Sequence, residues 1–295
     1  MLDKENHINN FLDHLWLEFG LSRNTLSAYK SDLELLTKFL LKRKLKLLSL
    51  KEVHLSDYFD SLGNRSANTR ARHLSTLKRF FGYLLTSGLI VADPSSALKQ
   101  NKSGRRLPKT LSEDDVFLLL SAPNTNDDYG VRDRAMLELT YAAGLRVSEL
   151  VALELDSVNL KQGVLRIMGK GKKERLVPVG DEAIFWLKRY ITKSRAVLAK
   201  ENHSNAVFLS RLGLRMSRQS FWHLVKKYCI LVGLKETVSP HTLRHCFATH
   251  LVNNDADLRI VQTLLGHSDI STTQIYTFVA SERLKKIHQI HHPRG

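Results

Sequence analysis

The tract Ser239-Pro240-His241-Thr242-Leu243-Arg244-His245 is followed downstream by Leu265-Gly266-His267-Ser268-Asp269 and then by Thr272-Thr273-Gln274-Ile275-Tyr276. A phenol thereby accompanies an arginine and imidazoles, with nothing that looks like a metal cage. A phenol that attacks a phosphodiester must lose its proton, and the charge of the resulting phosphorane must be neutralised. These residue types meet both needs, and the chemistry they point to is transfer of a DNA strand.

The elements that must position these groups can be read around them. Ser239 is a good N-cap and Pro240 fits the first helical position, so a helix to about Asn253 puts His241 and Arg244 one turn apart on one face. His245 also lies one turn from His241, a spacing that can bind zinc. The metalloprotease version needs Glu directly after the first His, however, and Thr242 stands there. A packed, hydrogen-bonded structural role is the better expectation for His245. Upstream, Thr140-Tyr141-Ala142-Ala143-Gly144-Leu145-Arg146-Val147-Ser148-Glu149-Leu150 predicts a helix ended by a C-cap glycine, a break holding Arg146, and a second helix. An arginine in such a turn often only caps carbonyls; with Arg244 it could instead offer two planar forks to the oxygens of one phosphate.

Val164-Leu165-Arg166-Ile167-Met168 and Glu174-Arg175-Leu176-Val177-Pro178-Val179 alternate about Gly169-Lys170-Gly171-Lys172-Lys173 and predict a β-hairpin. Lys172 and Lys173 read as a solvated loop tip. Lys170 has glycine on each side, which lets the backbone approach a ligand closely, and its ammonium could protonate a departing sugar oxygen.

With Gly144-Leu145-Arg146, Gly169-Lys170-Gly171, His241-Thr242-Leu243-Arg244-His245, Leu265-Gly266-His267 and Tyr276 in this order and spacing, the chain resembles tyrosine site-specific recombinases of the Xer type over nearly its whole length. The resemblance implies that Tyr276 is the nucleophile that forms a 3′-phosphotyrosyl bond, that Arg146 and Arg244 clamp the scissile phosphate, and that Lys170 is the general acid for the 5′-hydroxyl. It gives His241 the tyrosine proton and His267 a hydrogen bond to the phosphate. It also implies chemistry without cofactor, ATP or divalent metal, a heterotetramer with a XerC-like recombinase on double-stranded DNA, activation by an FtsK-like translocase, and a role in resolving chromosome dimers at division. The closing stretch from Ser271, with His288-Gln289-Ile290-His291-His292-Pro293-Arg294, resembles the partner of XerC-like proteins more than XerC itself. Phe278, where that subtype often has histidine, and Cys246, where a small residue is common, depart from the pattern without replacing a motif residue. Cys246 is expected to be a buried small hydrophobe. Two other readings stay open: an integrase of a phage or mobile element, and a DNA-binding protein on the same fold without chemistry.

Composition fits a polyanionic partner. The 295 residues carry 45 Lys and Arg against 29 Asp and Glu, a formal charge of +16, and 43% hydrophobic content excludes a mainly disordered chain. Up to Thr110 there are 19 basic and 10 acidic residues, and 26 and 19 beyond it, so both parts are basic. Two cysteines, Cys229 and Cys246, make neither a disulfide framework nor a zinc module and point to a reducing cytoplasm. No apolar stretch reaches the roughly 18 residues of a membrane span, and no signal-peptide pattern opens the chain.

The expected fold is mainly α. Residues 1–98 form a four-helix domain, with helices near Asn6–Phe19, Asn24–Lys42, Leu50–Leu62 and Ser66–Ser87; by resemblance it is a SAM-like core-binding domain. Arg65, Arg70, Arg72, Lys78 and Arg79 give the fourth helix a basic face beside its apolar one. Residues 99–109 are a basic linker. Residues 110–295 form a mostly helical catalytic domain with a small antiparallel sheet. Its helices are expected to begin at Ser112 and then to lie near Arg132–Ala143, Val147–Leu153, Glu182–Arg195, Arg218–Val232, Pro240–Asn253, Asp257–Leu265 and Ser271–Val279. Besides the hairpin, short strands are expected near Ser157–Leu160 and Ala206–Leu209.

Overall fold

The computed structural model describes residues 2–63 (backbone alone for 2–5), 65–98, 110–169, 174–234, 238–265 and 287–294. The chain divides into two compact units, Met1–Leu107 and Pro108–Gly295. The expected linker 99–109, the expected helix Ser271–Val279, and Lys170, His267 and Tyr276 lie outside the described residues.

In the first unit, α1 (Leu2–Phe19), α2 (Arg23–Lys42), α3 (Glu52–Ser61) and α4 (Ala67–Thr86) enclose a core of Phe11, Leu15, Leu33, Leu36, Leu40, Leu77, Phe80, Phe81 and Leu84. Two of the helices start by the same device. Ser22 and Ser66 accept from the amides of Thr25 and Thr69, satisfying a donor that the first turn leaves unpaired. One polar cluster interrupts the core. The buried carboxylate of Asp32 in α2 accepts from Arg72 at 2.7 Å and Thr76 at 3.0 Å in α4, and lies 3.2 Å from His73, which also bonds the Tyr58 hydroxyl. Arg72 is thereby held at the edge of the basic face expected for α4.

The second unit is built around α6 (Asp128–Ala142), a helix buried on all sides from Gly130 onward. A helix so enclosed must pair its own charges, and it does: Arg132 bonds Asp133, and Arg134 lies 2.7 Å from Glu138. Around it stand α5 (Glu113–Ser121), α7 (Val147–Ala152), α8 (Asp181–Arg189) running through a π-turn at Tyr190–Ser194 into α9 (Arg195–Ala199), α10 (Arg218–Leu231), α11 (Pro240–Asn253) and α12 (Leu258–Leu265). Strands β1 (Val158–Asn159), β2 (Val164–Met168) and β3 (Glu174–Pro178) form an antiparallel sheet in that order, with Ile167 opposite Arg175. Among the described residues the unit is thus mostly helical with one small sheet, as expected.

Three details differ from the sequence reading. Helix α6 starts at Asp128, because the Asp127 carboxylate caps the Gly130 amide at 2.7 Å within a stretch that otherwise reads as loop. The expected strand Ala206–Leu209 is reduced to isolated bridges, Glu154 to Ala206 and Leu209 to Arg215. Three of its carbonyls go to side chains, while that of Phe208 accepts from the Met216 amide: Arg195 takes those of Ala206 and Val207, Tyr190 also takes Val207, and Arg132 takes Leu209. Last, a short helix at 287–291 docks on the unit, with His288 bonded to the Ala142 carbonyl and stacked on His292, whose ring also meets Tyr141 and Phe247.

Candidate active site

Two segments that are distant in sequence meet at the end of α6. The chain leaves α6 through Gly144, whose φ of +56° lies in the left-handed region. A side chain is excluded there twice, since a Cβ would be strained by that backbone and would collide with the Phe247 ring of α11. The turn delivers Arg146 to the start of α7. There its amide bonds one Glu149 oxygen and its guanidinium the other, both at 2.9 Å, so the carboxylate closes the first turn and orients the side chain together.

On the opposite side, Ser239 accepts from the Thr242 amide while the Thr242 hydroxyl accepts from the Ser239 amide, and Pro240 takes the first helical position. Helix α11 therefore starts where expected. It places Arg244 in the interior, where one terminal nitrogen donates to the Gly144 carbonyl and the other to the Leu265 carbonyl at 2.7 Å. Arg244 thus ties the α6–α7 break to the last residue of α12, two residues ahead of His267. Its guanidinium lies 3.8 Å from Glu149, an ionic contact without a hydrogen bond.

A third arginine completes the cluster. Arg175 of β3 grips both Glu149 oxygens, at 3.0 and 2.9 Å. Three guanidinium groups on one carboxylate leave two positive charges in excess. Burial alone would raise the Glu149 carboxyl, but the hydrogen bonds and charge of Arg175, then the bonds from Arg146, hold it below its ordinary value. Arg244 is pushed down to about 10, first by burial and then by the charge of Arg146, and it stays protonated at neutral pH. The Arg146 side chain is 41% exposed, against 9% for Arg244.

This arrangement suits a phosphodiester under attack. A diester carries one negative charge and the phosphorane formed from it by an anionic nucleophile carries two, which matches the excess of the cluster. Each guanidinium has five N–H groups. Arg146 spends one of them on Glu149 and Arg244 spends two on carbonyls, so both keep donors for non-bridging oxygens. The structure therefore brings Arg146 and Arg244 together.

The other expected site residues fall out differently. His241 stands exposed on the first turn of α11. His245 is half-buried and makes no hydrogen bond to another described residue; His250 fills the structural role instead, buried between the Tyr141 hydroxyl at 2.8 Å and the Leu111 carbonyl at 2.9 Å. Cys246 is fully buried, and burial raises its thiol, as a small hydrophobe requires. Sequence reasoning missed Glu149 and Arg175. Glu149 was visible as a carboxylate three residues after Arg146, the capping-box position; Arg175 carried no such signal.

Residues 109–283 match the phage integrase family, and residues 8–88 match its N-terminal SAM-like domain. The chain is 53% identical over 296 residues to the tyrosine recombinase XerD of Proteus mirabilis, covering 99% of this chain and 95% of that one. With the XerD of Pseudomonas putida it shares 53% over 292 residues, 98% of this chain and 97% of the relative. Among solved structures it resembles XerA recombinase at 26% identity, with a TM-score of 0.51 over 99% of this chain and 100% of that one. A XerH recombinase bound to palindromic difH shares the fold at 23% identity, with a TM-score of 0.70 over 88% of this chain and 78% of the other. The chain belongs to the phage integrase family and is a tyrosine recombinase, an enzyme of site-specific DNA strand exchange.

Proposed function

We propose that the chain acts as a XerD does in its host: in the cytoplasm, with a XerC-like recombinase in a heterotetramer on a short DNA site, resolving chromosome dimers under control of an FtsK-like translocase. The extent of the likeness to XerD proteins supports this over an integrase of a mobile element. Tyr276 attacks the scissile phosphate and forms the 3′-phosphotyrosyl bond while the bond to the 5′-oxygen breaks. His241 takes the tyrosine proton, Lys170 gives one to the leaving 5′-oxygen, and His267 bonds a phosphate oxygen. Arg146 and Arg244 hold the non-bridging oxygens as charge builds. The partner strand's 5′-hydroxyl later reverses the step at the new junction, so bond energy is kept and no cofactor is consumed.

The observation that carries this reading is the meeting of Arg146 and Arg244 about one carboxylate, with donors left over and two excess positive charges. The test is a denaturing gel of the protein incubated with nicked site DNA. Wild type leaves a covalent adduct, whereas Tyr276→Phe binds the site nearly as well and leaves none. Adduct formation by Tyr276→Phe would remove the nucleophile from this assignment.

A further inference from the structure

We infer that Arg175 is a positioning residue for strand cleavage: by occupying both oxygens of Glu149, it keeps that carboxylate from competing with the phosphate for Arg146 and Arg244. The inference rests on the clamp role proposed above for those two arginines.

Glu149 is buried, and its charge lies against the two guanidinium groups that would meet DNA. Such a carboxylate is useful because it orients Arg146, and dangerous because it offers the same planar pair of oxygens as a phosphate. Arg175 removes the danger. Its fork fills one face of the carboxylate through two parallel bonds, at 3.0 and 2.9 Å. What remains, besides the bond from the Arg146 amide, is a single bond for the Arg146 guanidinium and, for Arg244, a contact at 3.8 Å. Arg244 is held off by carbonyls instead, those of Gly144 and Leu265.

Charge counting leads to the same place. With Arg175 the cluster holds two excess positive charges; without it, Glu149 cancels one clamp arginine and leaves one. Arg175 itself is buried in the sheet, opposite Ile167, and acts through Glu149 without touching substrate. Lysine cannot replace it, since a single ammonium does not span two carboxylate oxygens in a plane.

The experiment compares Arg175→Gln and Arg175→Lys with wild type, Arg146→Ala and Arg244→Ala in single-turnover cleavage on three site DNAs. One is ordinary; one carries sulfur as the bridging 5′-oxygen, so that the leaving group needs no proton; one carries a methyl group in place of a non-bridging oxygen, so that the scissile group is uncharged. Both Arg175 variants should bind the site as wild type does and cleave ordinary DNA about 10- to 100-fold more slowly, the scale seen when groups that orient metal ligands are removed. The uncharged substrate should relieve most of the defect and the sulfur substrate none of it. Arg175→Lys keeps a charge at the position, so it decides the matter should Arg175→Gln fail to fold. Cleavage at the wild-type rate, or rescue by sulfur, overturns the inference; in the second case Arg175 acts through the hairpin that leads to Lys170. If the uncharged substrate relieves Arg146→Ala and Arg244→Ala but not the Arg175 variants, the inference falls alone. If it relieves none of them, the clamp itself is wrong.

Discussion

The guanidinium of Arg244 donates to the backbone carbonyl of Gly144, one hundred residues earlier in the chain. Because Gly144 is also the residue whose left-handed turn aims Arg146, one peptide unit sets the position of both arginines.

Gly144→Ala should therefore harm folding and chemistry together. The backbone strain and the collision with Phe247 are of the kinds that each cost about 1 to 3 kcal/mol. Urea denaturation should show a loss in that range or somewhat above it. Cleavage should fall further than DNA binding under conditions where the variant remains folded.

Removing either clamp arginine should leave site binding largely intact and slow formation of the covalent adduct. Arg146→Ala and Arg244→Ala are each expected to lose at least about 10²-fold in single-turnover cleavage, the scale for deleting one stabiliser of transition-state charge. An unchanged rate in either variant excludes that arginine from the clamp. Arg244→Ala should also cost stability, because it strips donors from the Gly144 and Leu265 carbonyls, whereas the half-exposed Arg146 should cost little.

In the first unit, Asp32→Ala should destabilise without touching the chemistry. It leaves the buried Thr76 hydroxyl without its acceptor, an orphan that costs about 1 to 3 kcal/mol, and removes the carboxylate charge beside Arg72 and His73. Asp32→Asn retains an acceptor and should lose less. Thermal unfolding would rank the two, and a variant Asp32→Ala as stable as wild type would contradict the buried cluster.

Docking of the C-terminal helix should weaken in mild acid. Burial holds His288 below the ordinary imidazole value of 6.5, and burial, then the charges of His288, His250 and Arg294, hold His292 well below it. Depressed values mean that the docked helix favours neutral rings and the undocked one binds more protons. The docking free energy is therefore fully present above pH 6.5 and declines as pH falls from there toward the depressed values. Hydrogen exchange across residues 287–294, corrected for its intrinsic pH dependence, should accelerate below that point, and His292→Phe should blunt the change.

Local signals made much of this legible in advance. Ser239 with Pro240 announced the start of α11, and Gly144 the end of the helix before Arg146, because capping depends on residues within one turn of each other. The apolar face of α4 beside its basic one announced a helical core for the same reason. By contrast, Ala206–Leu209 has the composition of a strand, yet the carbonyls of Ala206, Val207 and Leu209 are claimed by Arg195, Tyr190 and Arg132, and no local pattern foretells that competition.

By itself, then, the sequence determined the residue types of the candidate site, the helix break and the helix that carry Arg146 and Arg244, and the family to which the chain belongs. Only the tertiary structure decided that Arg146, Arg175 and Arg244, from three different elements, converge on Glu149. The physical reason lies in burial. A carboxylate taken out of water must collect its partners from whatever segments the fold packs around it, and which segments those are is a property of the packed core rather than of any stretch of chain.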